Sequence, residues 1–104
     1  MKVEEMVDAC PVSKFTSLLG GKWKLIILNR LRERGKMLFG LLFATIPQVS
    51  RKVLTDQLKD LEKNGLVKRK HFKQIPPKVE YSLTRKSEKL YHILKSIEEW
   101  SKEN

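Results

Sequence analysis

Hydrophobic positions along this chain change their period twice. Behind Pro11, a residue suited to the first turn of a helix, Val12, Phe15, Leu18 and Leu19 recur at helical spacing. Gly20-Gly21 predicts the stop, because glycine accepts left-handed geometry at a helix end. Trp23, Ile26, Ile27 and Leu31 predict a second helix over about residues 22–33, ended by Gly35. Residues 37–39 read as a short extended piece. A brief helix over 40–45 follows, closed by Pro47. Ser50 is a favourable N-cap for the next helix, whose apolar face is Val53, Leu54, Leu58 and Leu61. Arg51, Lys52, Thr55, Asp56, Lys59 and Lys63 form its other face, and Asn64-Gly65 ends it.

From Leu66 the period drops to two. Residues 66–72 and 79–83 predict strands, with Val79, Tyr81 and Leu83 alternating against Glu80 and Ser82. Pro76-Pro77 cannot donate ladder hydrogen bonds, so both belong at the hairpin tip or shoulder. After Thr84, a capping residue, the helical period returns over about 85–102, with Leu90, Ile93, Leu94, Ile97 and Trp100 along one side. Residues 1–9 are expected to be a flexible arm. The predicted fold class is mainly α with a small β-hairpin (α+β). A short helix, a tight turn, a basic-faced helix and a basic hairpin, in that order, follow the plan of a winged helix-turn-helix. The helix-turn-helix would occupy 40–64 and the wing hairpin 66–84, within a single domain spanning 1–104.

Charge sharpens this picture. The 104 residues carry 22 Lys/Arg against 12 Asp/Glu, a net +10. Residues 51–86 hold 11 basic and 4 acidic residues, a net +7, whereas residues 87–104 hold 3 and 4. A solvated surface would mix signs more evenly, so the basic segment predicts a polyanionic partner and the last helix a different task. No apolar run is long enough to span a bilayer, and the polar, acidic start does not read as a signal peptide, so a cytoplasmic location is expected. The single cysteine, Cys10, excludes an intramolecular disulfide and a Cys-cluster zinc site. His71 and His92 lack partners at metal-ligand spacing, and no nucleophile or phosphate-loop motif occurs. Neither an enzyme nor a cofactor or metal protein is therefore expected.

The ordered set of short motifs resembles one family. It comprises Cys10-Pro11, Gly20-Gly21-Lys22-Trp23, Ile27-Leu28 with Leu31, Ile46, and Val49-Ser50. Lys52-Val53-Leu54-Thr55, Leu58-Lys59-Asp60-Leu61-Glu62, Asn64-Gly65-Leu66-Val67 and Arg69 follow, then Pro76-Pro77, Val79-Glu80-Tyr81-Ser82-Leu83-Thr84 and Trp100. Together they resemble the HxlR-type winged helix-turn-helix transcriptional regulators, over about residues 9–101. The resemblance implies a dimeric, non-enzymatic DNA-binding regulator whose N- and C-terminal helices build the dimer. Two positions depart from the family's pattern. Leu38 to Phe43 is apolar where polar or charged residues are usual, and Ser87 stands where glycine is usual.

The candidate DNA-binding residues are Ser50, Arg51, Lys52, Thr55 and Lys59 on the basic-faced helix, with Lys70, Lys73 and Lys78 in the hairpin. Arg51 can fork onto guanine O6/N7, Thr55 can touch a thymine methyl, and Ser50 and Lys52 can hold phosphates. The hairpin lysines would meet phosphate or the minor groove, although lysine also serves to protect edge strands. Phe15, Leu90, Leu94, Ile97 and Trp100 are candidates for a homodimer seam. Cys10 precedes Pro11 at a helix start, where the positive helix end favours thiolate, so it is a candidate redox or electrophile sensor. A small apolar residue packed at the seam would read the same way. The expected function is a homodimeric regulator on a pseudo-palindromic double-stranded operator, with room for a small-molecule effector that the sequence does not identify. The rival reading is a basic interaction module for RNA or an anionic surface.

Overall fold

The computed structural model describes residues 10–104; the arm expected over 1–9 lies outside them. In chain order the elements are α1 (Pro11–Leu19), α2 (Lys24–Arg34), β1 (Met37–Leu38), α3 (Phe39–Thr45), α4 (Arg51–Lys63), β2 (Val67–Phe72), β3 (Lys78–Leu83), α5 (Arg85–Glu88) and α6 (Tyr91–Glu103).

Around α2 the core closes. Ile27, Leu28 and Leu31 of that helix are buried together with Leu42 of α3, and with Leu54, Leu58 and Leu61 of α4. Met37, Val67, Tyr81 and Leu94 complete the cluster. Leu28 belongs to it although the helical pattern singled out Trp23 and Ile26, which are only half-buried. Val53 was placed on the apolar face of α4 but sits at its rim, 36% exposed. Lys24, on the first turn of α2, pairs with Asp60 and pins α4 to α2.

Helix ends follow their sequence signals. At the end of α1, Gly20 keeps ordinary φ and Gly21 takes the positive value, +91°. Gly20 is required for another reason: a Cβ there would collide with the Thr16 carbonyl oxygen. After α4, Gly65 adopts φ +73°. Its N–H donates to the Glu62 carbonyl and that of Leu66 to the Leu61 carbonyl, 3.0 and 2.8 Å, the paired bonds of a Schellman ending.

The hairpin is part of a three-stranded antiparallel sheet in the order β1-β3-β2. Residues 37–38 pair with Tyr81 and Glu80, so the expected extended piece is a third strand. In the hairpin, Val67 faces Leu83 and Phe72 faces Lys78. The expected helix over 85–102 is instead two helices. Thr84 and Ser87 form a capping box, and the Ser87 hydroxyl also donates to the Leu66 carbonyl at 2.7 Å. That bond anchors α5 to the start of the hairpin, while Leu94 anchors α6 in the core; the turn at residues 89–90 falls between the two anchors. The serine at the usual glycine position is therefore buried and fully hydrogen-bonded.

Candidate nucleic-acid interface

Residues 46–50 turn the chain from α3 into α4. Gln48 carries φ +69° there, the left-handed conformation that a tight interhelical turn demands. Ser50 is extended and its side chain accepts a hydrogen bond from the Val53 N–H at 3.1 Å, so it caps α4 as its residue type predicts. Its hydroxyl hydrogen remains free to donate. With Leu54, Leu58 and Leu61 turned inward, α4 presents Arg51, Lys52, Asp56 and Lys59 to solvent, and Thr55 half-exposed. Lys52 is tied to Asp56 by an exposed ion pair of 3.1 Å, one turn apart. Such a pair is weak and yields readily to a phosphate.

Arg51 has a more specific setting. Phe39 and Phe43, one turn apart on α3, stack with ring centroids 6.4 Å apart and planes 8° from parallel. The Arg51 guanidinium lies over them, 4.6 Å from the Phe43 centroid and 5.9 Å from that of Phe39. The ring faces attract the guanidinium by cation–π contact, and its N–H groups can still hydrogen-bond. Two of the six residues of the apolar 38–43 segment thus support the arginine. The i, i+4 spacing of the two phenylalanines is a signal from which the sequence could have given this support.

Arg51 and Thr55 share one wall of a groove of about 520 Å³. Residues 38–41 form a second wall, and Pro77, Lys78, Val79 and Tyr81 the third. The groove therefore brings together Arg51, Thr55 and Lys78 and leaves the other candidates outside. Lys59 lies farther along α4. Lys70 pairs in register with Glu80, on the opposite sheet face from Val79 and Tyr81, with its ammonium 5.0 Å from the Phe72 ring centroid. Lys73 stands exposed at the hairpin tip beside the fully exposed Ile75. Strand β2 is a sheet edge, and Lys68, Arg69, Lys70 and His71 are all exposed on its two faces.

Five residues were expected at a dimer seam, and the structure divides them. Leu94 is 3% exposed inside the protomer core, so it is not a seam residue. Its position on the α6 face turned toward α2 buries it within its own chain. Phe15 and Leu90 pack partly against that core. Ile97 and Trp100 are exposed, 43% and 67%, and Ile93 joins them on the outward face of α6. Val12 of α1 is also exposed. Glu98 ties α6 to α2, accepting from Asn29 at 2.9 Å and from Arg32 at 2.8 Å. The Asn29 bond, with help from Arg32, holds the Glu98 carboxyl below its ordinary range against the opposing effect of burial. Cys10 is the exposed N-cap of α1, and its carbonyl accepts from the Lys14 N–H. Among the described residues no cluster of potential ligands could hold a metal ion, and no helix is long and apolar enough to cross a membrane.

Comparison with known proteins gives concordant results. The family model described as HxlR-like helix-turn-helix matches residues 18–104. The HTH-type transcriptional regulator BH0655 of Halalkalibacterium halodurans is 46% identical over 103 residues, covering 99% of this chain and 90% of the relative. The crystal structure of a MarR-family transcriptional regulator from Porphyromonas gingivalis W83 superposes with a TM-score of 0.89 at 40% identity, covering 93% and 94% of the two chains. The redox regulator HypR in its oxidised form superposes with a TM-score of 0.84 at 39% identity, covering 91% and 97%.

Proposed function

This chain belongs to the HxlR-like helix-turn-helix family of transcriptional regulators, and from that premise we propose that it binds a pseudo-palindromic double-stranded operator as a homodimer. The observation that carries the reading is the groove wall at the start of α4. There Arg51, its guanidinium over Phe39 and Phe43, stands beside Thr55 and across from Pro77 and Lys78 of the hairpin. In this reading α4 enters the major groove, with Arg51 and Thr55 at base edges and Ser50, Lys52 and Lys59 at phosphates. Lys70, Lys73 and Lys78 hold the flanking backbone. The outward face of α6, with Ile97 and Trp100, meets its symmetry mate, and α1 with Phe15 borders the seam. The protein acts without enzymatic chemistry.

The test is footprinting on the DNA upstream of the chain's own coding region, combined with sedimentation. The expected result is two protected half-sites about 10 base pairs apart, or a small multiple of that. The second expected result is a dimer in solution. A monomer at micromolar concentration, or equal affinity for operator and scrambled duplex, contradicts the reading.

Similarity to a redox regulator favours one addition: Cys10 as a thiol sensor. An exposed thiol at a helix start next to the proposed seam is accessible to oxidants and electrophiles. Operator affinity before and after diamide would then change in the parent and stay constant in Cys10→Ser. An identical response of the two proteins removes Cys10 as the sensor.

A further inference from the structure

We propose that the hairpin tip carries an apolar wedge: Ile75 inserts between two base pairs from the minor groove beside each half-site and kinks the duplex there. The wedge rests on the proposed placement of α4 in the major groove. Ile75 is 101% exposed, so no atom of the fold covers it. The next most exposed large apolar residues, Val12 and Trp100, keep 70% and 67% and lie on the helices of the proposed dimer seam. Ile75 has no such partner. A turn position ordinarily takes glycine or a small polar residue, and an isoleucine in water adds nothing to the stability of the folded chain.

The setting of Ile75 points to a duplex. Six paired positions, from Val67–Leu83 to Phe72–Lys78, give the tip a firm base. Pro77, two residues after Ile75, stands across the groove from Arg51 and Thr55 at the start of α4. The tip therefore leaves the body beside the α4 surface, and both can address one duplex. Lys73 and Lys78 are exposed on either side of Ile75 in the chain, and no acidic residue occurs from Lys68 to Val79. Two cations with an apolar side chain between them match a minor groove, where two phosphate rows border the base stack. Pro76 follows directly, exposed and without an N–H, so the leading surface of the tip is hydrocarbon. Isoleucine and proline are both side chains that serve as wedges at base steps, and such wedges bend the duplex toward the major groove. Unstacking is easiest at pyrimidine–purine steps. Ile75 would thus confer a preference for TA or CA/TG beside each half-site without any hydrogen bond to a base.

The test uses the full-length protein and the upstream duplex in which footprinting locates the half-sites. Permanganate, which oxidises unstacked thymines, reads the insertion, and energy transfer between end-attached fluorophores reads the bend. We expect the parent to expose a thymine beside each half-site and to draw the duplex ends together. Ile75→Ser changes a side chain that the fold does not cover, so it should fold as the parent does. It should lose both signals and bind about tenfold more weakly, with an unchanged salt dependence because Lys73 and Lys78 remain. Ile75→Met should restore both signals. Replacing the reactive step by AA should weaken the parent by about fivefold and leave Ile75→Ser unaffected. A parent complex with neither reactive thymines nor bending, or an Ile75→Ser complex that keeps both, overturns the wedge, while protected half-sites in the same experiment leave the operator reading standing. A parent that binds no duplex overturns both. Flotation of the parent, but not of Ile75→Ser, with phosphatidylglycerol vesicles, together with unreactive thymines, assigns the tip to a membrane surface and overturns the wedge.

Discussion

Arg51→Lys keeps the charge at the start of α4 and removes the planar fork. In the parent the guanidinium rests 4.6 Å from the Phe43 centroid, within cation–π reach. A bidentate contact to guanine is worth about 1–3 kcal/mol of discrimination against the wrong base. Stacking on the rings adds about 0.5–1 kcal/mol at an exposed site, but it is present on any duplex and cancels from a ratio of affinities. The operator-to-scrambled affinity ratio should therefore fall by about 1–3 kcal/mol, roughly 5- to 150-fold. The salt dependence should stay the same, because a lysine releases as many counterions as an arginine. Fluorescence anisotropy with labelled operator and scrambled duplexes, across a series of salt concentrations, measures both quantities. A variant that keeps the parental ratio refutes the base-reading role. Loss of affinity equally on both duplexes would make Arg51 a phosphate contact only.

Four further outcomes follow from the packing. Ser87→Ala removes one partner each from the Thr84 N–H and the Leu66 carbonyl, which still bond each other at 3.4 Å, so urea unfolding should lose about 0.5–1.5 kcal/mol; an unchanged midpoint contradicts the hydrogen-bonded anchor. Trp100→Glu should dissociate the proposed dimer in sedimentation while leaving the protomer folded, whereas Leu94→Ala should instead lower protomer stability by about 2–5 kcal/mol through a core cavity. Glu98 has a depressed folded-state pKa, so its contribution is present above the unfolded value near 4.5 and is lost as pH falls through the lower folded value. Glu98→Gln should accordingly flatten the acid limb of stability against pH, and urea midpoints from pH 6 down to pH 3 would show whether it does.

Much of the scaffold was legible because single residues carry local rules. Ser50, Thr84, Gly65 and the 66–83 alternation each act within a few residues, and each lands where its chemistry places it. What escaped depends on partners distant in sequence. The extended piece at 37–38 was legible, but its pairing with β3 as a third strand was not. The break at residues 89–90 depends on the bond between Ser87 and Leu66, 21 residues apart. Leu94 and Ile97 sit on the same apolar stripe, and only the docking of α6 on α2 decides that one is core and the other surface. The candidate site divides in the same way. Residue types nominated the cations, but their grouping into one groove needed the fold to bring residues 38–41, 51–55 and 77–81 together.

The five-residue hairpin tip, residues 73–77, carries a consequence for how such a chain can diversify. Its side chains are exposed, Ile75 completely so, and the register below it is already fixed by six paired positions from Val67–Leu83 to Phe72–Lys78. Lengthening this tip leaves the core untouched, and a doubling of loop length costs only about 0.6 kcal/mol. The link between α2 and β1 offers no such slack. It consists of Gly35 and Lys36, with Gly35 at positive φ and its N–H bound to the Leu31 carbonyl. Insertions and deletions should therefore accumulate at the tip and be purged from the link. Descendants of this sequence can lengthen the hairpin in single-residue steps while α4 keeps its seat in the core.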